Sequence, residues 1–447
     1  MTMKKLLKKG IWMFFCGLMF TVLSCDKELT ILGEDSSNLH ALESQKETFE
    51  NNGNVKLSFR PNSFENTRIK AYQDFINKTG IYDVILQYNF SLSTYVEKKF
   101  VWPFDSLLEK YNSRNTDFEG DLYSNAWKEV GWYYKDIDEP DVNSIQKIGY
   151  PFATNTILLV YNKKLFESER NKKNFKKKYY RDLTVPIDWT QFKQVAEFFT
   201  TGETRGICMQ GAEGSWLYYE YCTILYGMGG SVFKKQYGWE KDSNTEITIA
   251  SPESVEATKY YLDLYKKCNG GGFYNVDATE QVKLIQEGKI AMGLVWSDYL
   301  YGLVKSGKSS KFGFAPIPGN TSPIAGGCYY VNRNTEHPEA AVDFILYMMQ
   351  PETQVQLALK GLCSPLQSTY KDKRVKEGIP YSQALATSLE RGTYMFEAGL
   401  ASQFVSDIIT EHIQRLCRSD NPDVEATLKL IANDIDDKRK KAKDNTQ

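Results

Sequence analysis

The chain has 447 residues, a formal net charge of −1 at pH 7 and 42% hydrophobic residues. This nearly neutral balance gives no reason to expect nucleic acid as a partner, because nucleic-acid binding depends on an excess of basic residues. The length exceeds the roughly 250–300 residues at which single domains stop growing, so two lobes are expected.

The first 25 residues have the pattern of a secretory signal peptide. Lysines at positions 4, 5, 8 and 9 precede an apolar stretch at 11–23, and the small residue Ser24 stands before Cys25. The stretch is shorter than the roughly 20 residues that a membrane-spanning helix needs. A small residue before cysteine is typical of a lipobox, in which the thiol carries the lipid. We therefore predict a signal peptide over residues 1–24, lipidation at Cys25 and a protein anchored outside the cytoplasm.

After this segment the chain alternates between strand-like and helix-like segments. The strands are short apolar runs, and the helices carry apolar residues three and four positions apart. Such alternation predicts a parallel sheet covered by helices on both faces. The predicted elements here are strands at 28–32, 55–59, 82–86 and 157–161 and helices at 38–50 and 68–78.

The second half of the chain carries clear signals for helix starts. Ser or Asp stands at several predicted caps, and proline occupies the first helical position at others. The predicted elements are a helix over 192–199, helices that start near 252, 278, 338 and 351, and strands at 290–296 and 312–315.

Six cysteines follow Cys25. An exported protein can form disulfides, and six cysteines allow fifteen pairings, but none has the close spacing of a metal site. Buried free thiols are an equally open alternative, because cysteine packs well as a small apolar side chain. The six are Cys208, Cys222, Cys268, Cys328, Cys363 and Cys417.

Two short patterns are typical of a bound cofactor or metal ion, but their context argues against both. Residues 302–309 match a phosphate-binding loop, yet they follow a predicted helix and lead into a predicted strand, the reverse of the true motif. Acids at 136–141 are spaced loosely like calcium ligands, but Pro140 interrupts the loop and its required glycine is missing. The sequence therefore predicts no cofactor and no metal.

Several local motifs occur in one characteristic order along most of the chain. They are YDV at 82–84, FDSL at 104–107, GYPF at 149–152, LVYNKKLF at 159–166, PIDW at 186–189, SPESVEA at 251–257, EGKIAM at 287–292 and GG at 326–327. In this order they resemble bacterial extracellular solute-binding protein family 1, the carbohydrate-binding components of ABC importers. YNK at 161–163 and WSD at 296–298, with Arg391-Gly392, look most like the sugar and polyol binders.

The resemblance implies an α/β fold of two hinged lobes, each a mixed sheet flanked by helices, known as the type II periplasmic-binding-protein fold. Ligand would lie in the cleft between the lobes and be enclosed when they close about the hinge. The implied lobes are 25–155 plus 319–360 and 156–318 plus 361–447, with chain crossings near Asn155, Phe314 and Lys360.

Candidate ligand contacts are the polar and aromatic residues near the ends of predicted strands. Ligands of open α/β sheets bind outside the carboxyl ends of the strands. A carbohydrate presents hydroxyls and apolar C–H faces, so carboxylates, amides and aromatic rings suit it. The alternative for each aromatic is a core position, and for Arg391 a surface ion pair. The predicted ligand-binding residues are Glu34, Asp35, Ser37, Tyr88, Asn89, Phe152, Asn155, Glu213, Trp216, Trp296, Asp298, Gly327, Tyr329 and Arg391.

The resemblance implies a monomeric, lipid-anchored binding protein that captures a sugar, oligosaccharide or polyol and presents it to the transmembrane subunits of an ABC permease. Enzymatic activity is not predicted, because no Gly-x-Ser-x-Gly, His-Glu-x-x-His or Cys-x-x-Cys motif occurs. Two alternatives stay open. One is a surface lipoprotein that binds or senses a glycan without a permease, and the other is an exported glycoside hydrolase that uses Glu34 and Asp298.

Overall fold

The computed structural model describes residues 27–53, 55–113, 115–134, 145–201, 204–212, 216–234, 246–269, 276–320, 322–394 and 402–444. The predicted signal peptide, Cys25, Glu213 and the acidic segment 136–141 lie outside these residues.

Strands and helices alternate along the described residues. The strands are β1 (Lys27–Glu34), β2 (Val55–Asn62), β3 (Val84–Tyr88), β4 (Trp132–Tyr134), β5 (Ile145–Lys147), β6 (Pro151–Asn162), β7 (Arg205–Cys208), β8 (Ile290–Trp296), β9 (Phe312–Pro316), β10 (Ser322–Val331) and β11 (Gly392–Tyr394). The helices are α1 (Ser37–Glu43), α2 (Lys46–Asn52), α3 (Phe64–Asn77), α4 (Leu92–Glu97), α5 (Phe104–Lys110), α6 (Ser124–Gly131), α7 (Lys163–Glu167), α8 (Glu169–Tyr179), α9 (Trp189–Phe199), α10 (Trp216–Gly227), α11 (Pro252–Cys268), α12 (Ala278–Gln286), α13 (Tyr301–Lys305), α14 (Pro338–Met348), α15 (Pro351–Ala358), α16 (Lys373–Gly378), α17 (Ser382–Glu390), α18 (Ser402–Arg418) and α19 (Val424–Asp444).

Local helix signals explain several of these boundaries. The Ser251 hydroxyl accepts the N–H of Ser254 at the start of α11, and the Asp277 carboxylate accepts the N–H of Glu280 at the start of α12. The single helix predicted over 38–50 is wrong, since α1 ends at Glu43 and α2 begins at Lys46. The Ser44 hydroxyl, which donates to the Ala41 carbonyl at 2.6 Å, competes with helical continuation at this point.

Nine strands form one large mixed sheet in the order β2-β1-β3-β10-β6-β8-β7, with β11 beside β10 and β9 beside β6. The predicted parallel arrangement is confirmed for β1, β2 and β3. It is wrong for β10, which runs antiparallel to β3 and β6, and for β8 and β9, which run antiparallel to β6. These strands come from distant parts of the chain, so the local alternation does not set their direction.

The long strand β6 belongs to both halves of this sheet. Its residues 151–156 pair with β10, whereas residues 157–161 pair with β8. Asn155 therefore lies next to the point at which the chain passes from one half of the sheet to the other.

A cluster of buried side chains that includes Ile324 of β10 and Leu158 of β6 joins the two halves, and each half also has a hydrophobic core of its own. One includes Ile31 of β1 and Phe344 of α14, and the other includes Leu159 of β6, Phe192 of α9 and Ile431 of α19, all fully buried. Each such side chain contributes roughly 1.5–3 kcal/mol through removal of its apolar surface from water. The terminal helices α18 and α19 thus complete the core on the β7 and β8 side of the sheet.

The six cysteines after Cys25 are all buried with free thiols, which is the second of the two alternatives drawn from the sequence. Within the described ranges, no helix combines the length and the apolar character required to cross a membrane.

Candidate functional site

A cavity of about 360 Å³ opens where the two halves of the sheet face each other. Its walls include the ends of β1, β3 and β8 and the first turn of α10. The lining residues are Glu34, Asp35, Ser63, Phe64, Glu65, Tyr88, Asn89, Asn155, Trp216, Tyr219, Asp277, Thr279, Trp296, Asp298, Tyr299 and Ala325.

Eight of the residues predicted as ligand contacts line this cavity. They share a position at or just after the end of a strand, or in the strand that joins the two halves, except Trp216, which begins α10. The eight are Glu34, Asp35, Tyr88, Asn89, Asn155, Trp216, Trp296 and Asp298.

Of the other six predicted contacts, Glu213 lies outside the described residues, and the remaining five do not line the cavity. Phe152 and Tyr329 are buried in the core of the first half of the sheet, with ring centroids 5.8 Å apart. Ser37 lies in α1, where its hydroxyl donates to the backbone carbonyl of Asp298 at 2.5 Å. Arg391 is exposed after the last turn of α17, and Gly327 packs against the Phe152 ring.

The packing at Gly327 leads to a prediction about stability. A Cβ atom at this position would lie 2.0 Å from a ring carbon of Phe152, so Gly327→Ala forces the buried ring to move. We expect the free energy of unfolding to fall by about 1–2 kcal/mol, as for other overpacked cores. Urea unfolding measures this, with Gly120→Ala as the matched control because its site is open within 4 Å. Equal stability of the two variants would contradict the prediction.

Glu34 lies at the carboxyl end of β1, with its carboxylate between two tyrosines. The Tyr88 hydroxyl donates to one oxygen at 2.5 Å, and the Tyr299 hydroxyl donates to the other at 3.3 Å. Burial raises the pKa of Glu34 above its usual value, although both hydrogen bonds act in the opposite direction.

Asp298 follows β8 and is only 5% exposed. The Asn155 side-chain amide donates to its Oδ2 at 3.0 Å, whereas Oδ1 is buried without a hydrogen-bond partner. Burial, and then the nearby negative charge of Glu34, raise the pKa of Asp298 to about 8. Within this part of the cavity wall, the pKa values of two carboxyl groups are therefore raised.

A chain of hydrogen bonds connects Asp298 to the other half of the sheet. The Asn38 amide in α1 donates to Oδ1 of Asn155 at 3.3 Å, and Asn155 in turn donates to Asp298. The side-chain oxygen Oδ1 of Asn38 accepts a hydrogen bond from the backbone N–H of Cys363 at 3.1 Å. All four residues are buried. The network thus joins segments that are far apart in the sequence, beside the junction in β6.

Aromatic rings from both halves meet at the cavity. Phe64 at the start of α3 lies 6.4 Å from Trp216 of α10 between ring centroids, and Trp216 lies 5.9 Å from Tyr299. On the other side, Tyr219 contacts Trp296 edge to face at 5.4 Å. Rings combined with carboxylates and amides suit a ligand that has both apolar faces and polar groups.

Sequence reasoning missed half of the lining residues, although several carried a usable signal. Ser63, Phe64 and Glu65 follow β2, so the strand-end rule applies to them as it does to Glu34. Tyr219 lies one helical turn after Trp216, and Tyr299 is adjacent to Asp298. Asp277, Thr279 and Ala325 had no comparable signal, because their approach to the cavity depends on how the sheet halves pack.

The remaining chemical motifs stay apart from this cavity. The segment 302–309 lies in and after α13 and leads into β9, the order opposite to that of a phosphate-binding loop. Among the described residues, no group of three or more His, Cys, Asp or Glu side chains could hold a metal ion. None of the lining residues is a histidine.

Comparison with known proteins identifies the family. A profile of bacterial extracellular solute-binding proteins matches residues 37–355. A search of curated proteins finds no significant match.

Three solved structures share the fold. An ABC transporter solute-binding protein of Agrobacterium radiobacter K84 with ribitol has a TM-score of 0.76 at 18% identity, over 92% of this chain and 98% of that one. Maltose-bound MalE3 of T. maritima has a TM-score of 0.71 at 20% identity, over 92% and 99%. A solute-binding protein of Agrobacterium vitis S4 with D-mannitol has a TM-score of 0.71 at 18% identity, over 93% and 99%.

These similarities confirm the fold class that the motifs implied, a mixed α/β structure with helices flanking the sheet. The family profile covers well over half of the sequence. The chain therefore belongs to the bacterial extracellular solute-binding protein family.

Proposed function

We propose that this protein captures a sugar, oligosaccharide or polyol outside the cytoplasm and delivers it to an ABC permease. The observation that carries the proposal is the cavity, in which carboxylates and amides stand beside aromatic rings from both halves of the sheet. Carbohydrates combine hydroxyl groups with apolar C–H faces, and such a wall complements both. Related folds in complex with ribitol, maltose and D-mannitol support this ligand class.

The binding step is closure of two lobes about a hinge, without bond chemistry. We assign 25–155 plus 319–360 to one lobe and 156–318 plus 361–447 to the other. The hydrophobic core that each sheet half has of its own supports this division, and strand β6 and the buried cluster around Leu158 and Ile324 connect the lobes. Closure buries the ligand and creates the shape that a permease distinguishes from the empty protein.

The signal-like N-terminus supports an extracytoplasmic location, with the protein anchored to the bacterial cell envelope. A lipid on Cys25 anchors the monomeric protein to the envelope after removal of residues 1–24, and the permease subunits receive the ligand there. The family to which the chain belongs is extracellular, in agreement with this location.

The proposal is tested by thermal unfolding of the mature chain with mono- and oligosaccharides, polyols, amino acids and polyamines. A ligand at 100 times its dissociation constant stabilises the folded state by about 2.7 kcal/mol, which raises the melting temperature measurably. A shift with one sugar or polyol group, without consumption of that compound, supports the proposal. Cleavage of a saccharide favours a glycoside hydrolase that uses Glu34 and Asp298, and the absence of any shift contradicts carbohydrate binding.

Trp216→Ala is expected to weaken binding of the ligand found in this screen about thirty-fold while the fold stays intact. The half-buried indole contacts Phe64 and Tyr299 at the cavity wall, and loss of an aromatic anchor costs about 2 kcal/mol of binding free energy. Titration calorimetry measures the affinity. Tyr180→Ala is the control, because Tyr180 is 92% exposed outside the cavity. Unchanged affinity in Trp216→Ala would mean that the indole serves only packing.

A further inference from the structure

The cavity wall has an unbalanced charge. Among its described residues there are carboxylates but no lysine, arginine or histidine. The carboxylates are those of Glu34, Asp35, Glu65, Asp277 and Asp298. Neighbouring cations or backbone N–H groups often stabilise such carboxylates. The partners of each one therefore decide whether it has room for a ligand.

Three of the five have partners outside the cavity. Glu65 lies 3.2 Å from the guanidinium of Arg68, and Asp35 lies 2.8 Å from the ring of His40. Asp277 accepts a backbone N–H as the cap of α12. Asp35 and Glu65 are exposed to water and Asp277 is fixed as a helix cap, so none of the three is a deeply buried acid that requires a ligand.

Glu34 and Asp298 differ from the other three. Glu34 accepts hydrogen bonds from the neutral hydroxyls of Tyr88 and Tyr299, and the side-chain donor to Asp298 is the neutral amide of Asn155. Asp298 is 5% exposed, and its Oδ1 has no hydrogen-bond partner. Burial of a carboxylate without a cation is costly, and the raised pKa values of both groups express this cost.

The rings around these two acids also suit a positive charge. The hydroxyls of Tyr88 and Tyr299 donate hydrogen bonds to Glu34. The Trp216 ring packs edge to face against the Tyr299 ring, with an angle of 84° between the ring planes. The face of an aromatic ring attracts a cation, most strongly when the site is shielded from water. Acids without a cation and aromatic rings therefore occur at the same place in the wall.

We propose that the ligand of this protein carries an amino group, as in an amino sugar or amino polyol, and that its ammonium lies between Glu34 and Asp298. This inference rests on the proposed carbohydrate function and names the class of carbohydrate. The ammonium donates to the unpartnered Oδ1 of Asp298 and to Glu34, while the carbon skeleton contacts the aromatic rings. When the ammonium binds, Asp298 releases its proton to solvent and pairs with it as a carboxylate, whereas a neutral hydroxyl supplies one donor and no charge and gives no such pairing.

The first test compares matched probes by titration calorimetry on the full mature chain at pH 7. The probes are D-glucosamine, D-glucose and N-acetyl-D-glucosamine, together with sorbitol and 1-amino-1-deoxysorbitol. Each set differs in the charge of one group while the skeleton stays the same. We expect the amine to bind at least ten-fold more tightly than its hydroxyl or acetylated analogue.

The second test replaces the two carboxyl groups with amides, which cannot ionise. Glu34→Gln and Asp298→Asn keep the size of each side chain, and each is expected to weaken amine binding at least ten-fold while neutral probes change less. Circular dichroism and melting temperature verify that the fold is retained. Glu253→Gln is the control, because Glu253 is exposed in the first turn of α11 outside the cavity.

The outcomes separate this inference from the proposed function. A neutral saccharide that binds as tightly as its amine overturns the inference and leaves carbohydrate binding in place. Binding of putrescine or spermidine without any saccharide overturns the carbohydrate function and the amino-sugar class together, as does the absence of binding by every probe. Equal affinity of Glu34→Gln, Asp298→Asn and wild type for the amine also overturns the inference.

Discussion

Asn155→Ala is expected to lower the free energy of unfolding by about 3 kcal/mol. The Asn155 side chain is 3% exposed and connects two other buried polar groups, since it accepts from Asn38 at 3.3 Å and donates to Asp298 at 3.0 Å. Truncation leaves both partners buried without their hydrogen bonds, and each such group costs about 1–3 kcal/mol. The loss exceeds that of an ordinary side-chain hydrogen bond because the site is shielded from water.

Urea unfolding of Asn155→Ala, Asn38→Ala and the double variant measures this effect and its origin. If the residues act as one network, the double variant loses less stability than the sum of the single variants, by about 1 kcal/mol or more. Asn51→Ala is the control, because Asn51 is exposed in α2 and its replacement stays within about 0.5 kcal/mol. Additive losses would show that the contacts at Asn155 are energetically independent.

The stability of the unliganded protein is expected to decrease as the pH rises from about 5 to about 8. The pKa of Asp298 is about 8 in the folded protein, against 3.8 as its ordinary value. The folded state therefore binds this proton more tightly than the unfolded chain. The resulting stabilisation is complete below about pH 4 and is lost as the pH approaches 8, at up to about 1.4 kcal/mol per pH unit. The raised pKa of Glu34 acts in the same direction.

Urea unfolding at pH 5, 6.5 and 8 checks this dependence on wild type and Asp298→Asn. Asparagine does not titrate, so the variant should gain stability relative to wild type as the pH rises, by up to about 4 kcal/mol over the whole range. Glu253→Gln, which changes an exposed carboxyl outside the cavity, should follow the wild-type profile. Parallel profiles for Asp298→Asn and wild type would mean that Asp298 is already ionised in the folded protein at neutral pH.

Strand-end reasoning on the sequence found much of the candidate site. Glu34, Tyr88 and Asp298 were predicted because they end or follow β1, β3 and β8, and all three line the cavity. The same reasoning did not separate them from Phe152 and Tyr329, which belong to strands of the same sheet. Strand position restricts a residue to one edge of the sheet but does not say which face its side chain covers.

The sequence by itself determined the local structure and the family. Apolar spacing, caps and prolines placed strands β1, β2, β3, β6, β8 and β9 and helices such as α3, α11, α12 and α14, because these signals act within a few residues. The ordered motifs identified the family, which the profile over residues 37–355 confirms. Only the tertiary structure decided the antiparallel direction of β10 and the burial of Phe152. It alone brought Asn38, Asn155 and Asp298 into one network, since such contacts depend on the packing of segments that are more than a hundred residues apart.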